Sequence, residues 1–307
     1  MFMGTPRFAV PSISRLVSDG HEIAVAVTQP DRPSGRGQEV AVPPVKAFAQ
    51  AKGIGILQPA DVNGEDAVRE LSPLEPELIV VVAFGAILRK QLLDLPKRGC
   101  INLHASLLPR LRGVAPINWA IIRGERATGA TTMWMNEKVD AGEIIFQRYV
   151  PILPEETASE LEGRLSDIGS ELLSITISAV TEGNAPRIPQ DISQASYAPR
   201  LKKADGIVEW KRDAVSVCDH IRGVTVWPGA QTTFRGEPIK IVKARVLDVV
   251  TASEPGRVLR VDAGGAVVAT GSGALLVTHV QPAGKKAMSA VEFARGRRIL
   301  EDEAFGR

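Results

Sequence analysis

The chain has 307 residues, room for two domains at roughly 150 residues each, which excludes a peptide-sized or disulfide-stapled fold. Its 44% hydrophobic and 23% charged residues, with 37 Lys and Arg against 35 Asp and Glu and a net charge of +2, exclude disorder and a strongly one-signed surface. No apolar run reaches the ~18 residues of a membrane span. The opening MFMGTPRFAV lacks both a basic stretch and a long apolar stretch of the kind that directs secretion, so a cytoplasmic protein without a membrane partner is expected. Cys100 and Cys218 stand too far apart for a disulfide framework or a structural zinc site and read as packed thiols.

The first 180 or so residues alternate continuous apolar runs with amphipathic stretches, the pattern of a mostly parallel sheet covered by helices. Strands are predicted at 22–28, 77–84, 99–103, 131–135 and 143–150. Helices are predicted at 43–52, 65–71, 116–123 and 157–181, the last opening with Thr157 three residues before Glu160, the spacing of a capping box. The expected fold is α/β, with one such domain over 1–182. A proline-punctuated stretch, 183–203, reads as an interdomain linker. Short alternating segments between glycine turns follow at 207–210, 230–234, 239–247, 257–261, 266–270 and 274–280, with a helix at 213–222. They predict a β-rich domain over 204–307, a small antiparallel barrel or sandwich. Residues 204–298 carry 14 Lys and Arg against 9 Asp and Glu, a modest basic surplus that by itself points weakly to nucleic acid.

Several chemistries lack their motifs. There is no GxGxxG for a dinucleotide, no GxxxxGK[ST] for a nucleoside triphosphate, no GxSxG elbow and no HExxH. The four histidines do not cluster at metal-ligand spacing, so no metal is expected. What remains is Asn102 and His104, two residues apart where a predicted strand runs into a loop, so that both side chains point to one side. Taken alone, the pair also reads as a satisfied strand-end Asn and a lone His. Asp140, in a turn after another predicted strand and followed closely by Gly142, also reads as a turn former. Brought together, an amide, an imidazole and a carboxylate suit acyl transfer: the first two stabilise an oxyanion, and the third orients the imidazole or moves protons.

Asn102-Leu-His104-Ala-Ser106-Leu-Leu-Pro109, followed by the long spaced segment from Gly129 through Asp140 to Gly142, resembles the paired signature of the folate-dependent formyltransferases. The resemblance implies that Asn102, His104 and Asp140 are catalytic. It also implies that Ser106, Leu107, Leu108 and Pro109 contact a folate, and that Phe84, Gly85 and Ile87 form another wall of its pocket. The formyl donor implied is 10-formyltetrahydrofolate, a co-substrate.

Two further segments are similar to the branch of this family that formylates initiator methionyl-tRNA. One is the loop Gln29-Pro-Asp-Arg32-Pro-Ser-Gly35-Arg36-Gly37, whose arginines suit phosphates or frayed bases. The other is Gln281-Pro-Ala-Gly284-Lys285-Lys286-Ala-Met288, whose adjacent lysines suit a nucleic-acid backbone. As bare motifs they also read as a solvated loop and a solvated lysine pair. With Trp227-Pro228-Gly229-Ala230 the resemblance spans the whole chain and implies that the first domain is Rossmann-like and that the β-rich domain, joined to it by the linker, is an OB-like open barrel that binds tRNA. The chain departs from the family in three places: a first strand that opens at Met1-Phe2-Met3-Gly4, a less basic Gln38-Glu39-Val40, and Thr225-Val226 before Trp227. The expected activity is transfer of formyl to the α-amine of methionine on initiator tRNA. Formylation of an amino sugar or other small amine, and a non-catalytic RNA-binding protein, are the alternatives; oligomeric state is left open.

Overall fold

A computed structural model describes residues 1–34, 39–301 and 303–306. In chain order the strands are β1 (Phe2–Gly4), β2 (Ala26–Val27), β3 (Arg32–Ser34), β4 (Glu39–Ala41), β5 (Ile56–Leu57), β6 (Ile79–Val82), β7 (Cys100–His104), β8 (Arg112–Gly113), β9 (Ala127–Trp134), β10 (Ile144–Pro151) and β11 (Tyr197–Ala198). They are followed by β12 (Ala230–Phe234), β13 (Glu237–Leu247), β14 (Val258–Asp262), β15 (Gly265–Ala269), β16 (Ala274–Pro282) and β17 (Met288–Ser289). The α-helices are α1 (Val10–Ser18), α2 (Pro44–Ala51), α3 (Glu65–Leu71), α4 (Lys90–Leu93), α5 (Pro116–Ile122), α6 (Ala158–Glu182), α7 (Ala214–Gly223) and α8 (Ala290–Arg297). The chain divides into two units: residues 1–113, 128–150 and 162–198 form one, and residues 114–127, 151–161 and 199–307 the other.

The first unit is built on a seven-stranded sheet in the order β10-β9-β7-β6-β1-β2-β5. Strands β5, β2, β1, β6 and β7 are parallel, whereas β9 runs antiparallel to β7. The β6 sequence Ile79-Val-Val-Val82 is buried along its whole length, as a central parallel strand covered on both faces must be. Ile79 and Val81 join Met3, Val27, Leu71, Leu88 and Leu92 in one apolar cluster on one face. Helix α6 opens where the sequence predicts: Thr157 Oγ1 accepts from the Glu160 N–H at 3.3 Å and Glu160 Oε2 accepts from the Thr157 N–H at 2.9 Å, a reciprocal cap. Strand β9 starts at Ala127, four residues earlier than expected, because Ala127-Thr-Gly-Ala130 carries no apolar run for a pattern to register.

The second unit holds antiparallel strands in the order β12-β13-β16-β15-β14, with β17 paired to β16. Helix α7 is capped by Asp213, whose carboxylate accepts from the Ser216 N–H at 2.9 Å. Trp210, Phe234, Phe293 and Phe305 form an aromatic group with ring centroids 5.1–5.8 Å apart, inside a core that includes Val217, Ile241 and Val277. The strand expected at 207–210 does not form. Val208 and Trp210 are buried and Ile207 and Glu209 exposed, but the segment makes a single bridge, Ile207 to Gln231. The alternation there records which side chains face the core and not a ladder.

Candidate active site

Asn102 and His104 lie on β7, in register with Met133 and Thr131 of β9. Asn102 is half-buried, and its side-chain amide makes no hydrogen bond among the described residues. His104 is 6% exposed. Its Nε2 is 2.9 Å from the Leu111 carbonyl oxygen, which can only accept, so Nε2 carries a proton and donates. The other ring nitrogen, Nδ1, lies 3.7 Å from Asp140 Oδ2. Because β9 runs antiparallel to β7 and pairs Trp134 with Ile101, the loop after β9 starts at the far end of β7 from His104. It folds back to deliver Asp140.

Asp140 Oδ2 accepts the Gly113 N–H at 2.8 Å. Three left-handed backbone positions meet here: Leu111 (φ 58°), Gly113 (φ 114°) and Asp140 (φ 49°). At Gly113 a Cβ would stand 2.7 Å from the Ala198 carbonyl oxygen, so β8 can pair with β11 only through a residue without one. Gly142 serves the hairpin in the same way, since a Cβ there would overlap the Trp134 carbonyl oxygen.

The loop after β7 is fixed by Thr131. Its hydroxyl donates to the Ser106 carbonyl at 2.6 Å and accepts the Leu108 N–H at 3.2 Å. Gln147 Nε2 reaches both the Leu108 carbonyl and Thr131 Oγ1 at 2.9 Å. The Ser106 hydroxyl donates to the Arg110 carbonyl at 2.6 Å. The loop after β6 carries left-handed Ala83 and Gly85 and follows a strand parallel to β7. Both loops therefore leave the carboxyl edge of the sheet, where open α/β folds place their ligands.

The family profile described as formyl transferase matches residues 1–177, and that of the formyl transferase C-terminal domain matches residues 200–298. The chain belongs to the formyl transferase family. The methionyl-tRNA formyltransferase of Moorella thermoacetica is 49% identical over 306 residues, covering 100% of this chain and 98% of its own. That of Geobacter sulfurreducens is 48% identical over 299 residues, covering 97% of this chain and 94% of its own. Among solved structures, an N-formyltransferase from Helicobacter canadensis, in complex with folinic acid and dTDP-3-aminofucose, shares the fold with a TM-score of 0.69 at 17% identity, over 92% of this chain and 98% of that one.

Set in a formyl transferase, the remaining candidates fall into two groups. Gly85 and Ile87 are exposed, and Leu107 and Pro109 are half-buried, along the two loops. Ser106, Leu108 and Phe84 are buried: Leu108 packs on Met133 and Ile144, and Phe84 lies in the cluster beneath β6. Arg32 is exposed at the start of the β3–β4 hairpin, and Arg36 lies outside the described residues. Lys285 and Lys286 are exposed in the turn between β16 and β17. Among the described residues, no group of His, Cys, Asp and Glu is placed to hold a metal, and no helix is long and apolar enough to cross a membrane.

Sequence reasoning missed Thr131, Gln147, Arg112 and Gln190. The first two hold the loop after β7. Arg112 Nε and Nη2 donate to Gln190 Oε1 at 3.1 and 2.6 Å, and Gln190 Nε2 donates to the carbonyls of Asp140 and Gly142 at 3.0 and 2.7 Å. The only sign of them in sequence is polar residues flanking the candidate segments; their roles depend on contacts across 16 to 78 residues.

Proposed function

We propose that the chain transfers the formyl group of 10-formyltetrahydrofolate to the α-amine of methionine esterified to initiator tRNA. The observation that carries this reading is the unpartnered amide of Asn102 on the same strand as a buried imidazole that faces a carboxylate. An amide with free N–H groups is ready to donate to charge that develops on another molecule.

The neutral amine attacks the formyl carbon, forming its C–N bond as the formyl oxygen takes up negative charge. Asn102 Nδ2 donates to that oxygen. His104, when protonated, puts a positive charge next to it, and direct donation from Nε2 occurs when the oxyanion replaces the Leu111 carbonyl as acceptor; catalytic hydrogen bonds commonly tighten only in the loaded complex. Asp140 holds the Nδ1 side of the imidazole and relays the proton lost by the amine to the departing folate nitrogen, whose bond to the formyl carbon breaks. The folate supplies an activated formyl carbon, and this chain supplies orientation, the donors and the proton path.

In this reading the folate lies along the segments holding Phe84, Gly85 and Ile87 and Ser106 through Pro109, where exposed Gly85 and Ile87 and half-buried Leu107 and Pro109 suit a flat heterocycle. The tRNA is met by Arg32 and Arg36 and by Lys285 and Lys286, with the antiparallel unit as the RNA-binding module. Near-identity in length to relatives named methionyl-tRNA formyltransferase, at 48–49% identity, supports this acceptor over an amino sugar. Single-turnover transfer of labelled formyl to charged initiator tRNA, beside uncharged tRNA and a panel of amino sugars, tests it. Label confined to the charged tRNA is expected, and label on a sugar overturns the acceptor.

A further inference from the structure

We infer that Gln190, held by Arg112, is a positioning residue that sets the Asp140 carboxylate against His104; the inference rests on the proposed role of Asp140 in proton transfer. The Gln190 amide is fully committed. Both of its N–H groups go to main-chain carbonyls of the Asp140 loop, at 3.0 Å to Asp140 and 2.7 Å to Gly142. Its oxygen accepts twice from Arg112, at 3.1 and 2.6 Å. A guanidinium only donates and a carbonyl only accepts, so the amide has a single orientation that satisfies both ends.

Arg112 is itself 5% exposed and sits between the two residues whose main chains touch the site. The Leu111 carbonyl receives His104 Nε2, and the Gly113 N–H is received by Asp140 Oδ2. A closed circuit results: Asp140 carboxylate to Gly113, along the chain to the Arg112 side chain, across to Gln190, and back to the Asp140 carbonyl. The circuit encloses Asp140 from its main chain and its side chain at once. This matters because Asp140 has φ 49° and Leu111 φ 58°, conformations that residues other than glycine keep only when their surroundings hold them there.

Gln190 in turn is anchored on both sides. Upstream, Ile188 exchanges two backbone hydrogen bonds with Ile144 at 2.8 and 3.0 Å. The Trp134 indole donates to the Pro186 carbonyl at 3.1 Å, and the Arg187 guanidinium stacks 4.2 Å from the Trp134 ring. Downstream, Ser196 accepts the Leu111 N–H on its hydroxyl at 2.9 Å and the Arg112 N–H on its carbonyl at 2.8 Å. Residues 186–198 thus form a strap from the β9–β10 hairpin to the turn beside His104, with Gln190 bridging its middle to the Asp140 loop.

The test is a double-mutant cycle between Gln190→Glu and Asp140→Asn, read by single-turnover formyl transfer and by urea unfolding. Gln190→Glu keeps an acceptor for Arg112 and turns a carboxylate toward two carbonyl oxygens. It is expected to lower kcat about 10- to 100-fold, the cost of a misplaced reacting group, with KM for both substrates within about threefold. In the Asp140→Asn background the same change is expected to cost less than about twofold, since a residue that acts through Asp140 has nothing further to misplace. An equal loss in both backgrounds overturns the inference. Near-normal turnover of Asp140→Asn alone overturns it by a different route, by removing the catalytic reading on which it rests. If Gln190→Glu shifts the midpoint, Arg112→Lys, which replaces the two donor nitrogens of a planar fork by one, enters the cycle in its place; absence of coupling to Asp140 there is equally decisive against it.

Discussion

His104 Nδ1 lies 3.7 Å from Asp140 Oδ2, while the same carboxylate oxygen takes the Gly113 N–H at 2.8 Å. The carboxylate is therefore held by the main chain and faces the imidazole without a tight bond to it. A proton can pass between them only once the pair closes to hydrogen-bond distance, so the pair depends on the turn at residues 111–113 that holds the carboxylate.

Asn102→Ala removes the one unpartnered amide on β7. Loss of a single oxyanion donor costs about 10²–10³ in kcat, and because that amide has no hydrogen-bond partner among the described residues, the unfolding midpoint is expected to stay where it is. Retention of near-normal turnover in single-turnover assays contradicts the role assigned to it.

Gly113→Ala should damage both stability and activity. The position has φ 114°, and the added methyl meets the Ala198 carbonyl at 2.7 Å. A non-glycine residue forced into such a conformation costs about 1–3 kcal/mol, and the shift it forces on β8 carries the N–H that holds Asp140. Urea denaturation reads the first effect and kcat the second. Wild-type behaviour in both would show that the turn tolerates displacement.

Within the second unit, Asp219 and Arg222 are a buried ion pair, 2.8 Å apart and each side chain 7% exposed. Arg222 Nη1 also donates to the carbonyls of Glu156 and Leu153 at 2.6 and 3.3 Å, so it ties α7 to the segment before α6. Arg222→Met strands the Asp219 charge, and breaking a buried pair from one side costs about 3–5 kcal/mol. Replacing both, as Asp219→Leu with Arg222→Met, is expected to recover only part of that loss in denaturant titrations, because the Glu156 and Leu153 carbonyls still lack the Arg222 donor.

The stability profile should narrow at both ends of the pH scale. Burial pushes the Cys218 thiol up to about 11 and the Cys100 thiol up to about 12. An acid whose folded pKa is raised favours the native state below its unfolded value, so this contribution is complete below about pH 8.5 and is lost as pH climbs toward 11–12. Burial lowers the His220 pKa. A base shifted that way stabilises the native state above its unfolded value of about 6.5, and the contribution is lost as pH falls through its folded value. Cys218→Ala should flatten the alkaline decline and His220→Gln the acidic one, both measured as unfolding midpoints against pH.

Residue pattern alone was enough for the α/β first half, because burial on two faces demands runs such as Ile79-Val-Val-Val82, and for the cap at Thr157, whose donors and acceptors lie three residues apart. Asn102 and His104 were legible for a similar reason: their relation is two residues on one strand. The partner of His104 was named only through the resemblance carried by the segment around Asp140, since nothing local says that a loop starting beside Ile101 returns to His104. Tertiary structure alone decided that β9 turns antiparallel, that residues 186–198 bind back onto the site, and that Arg112 and Gln190 enclose Asp140. Local order follows from the chemistry of neighbours along the chain, whereas these contacts pair polar groups 27 to 85 residues apart and exist only once the sheet has set the distance between the loops that carry them.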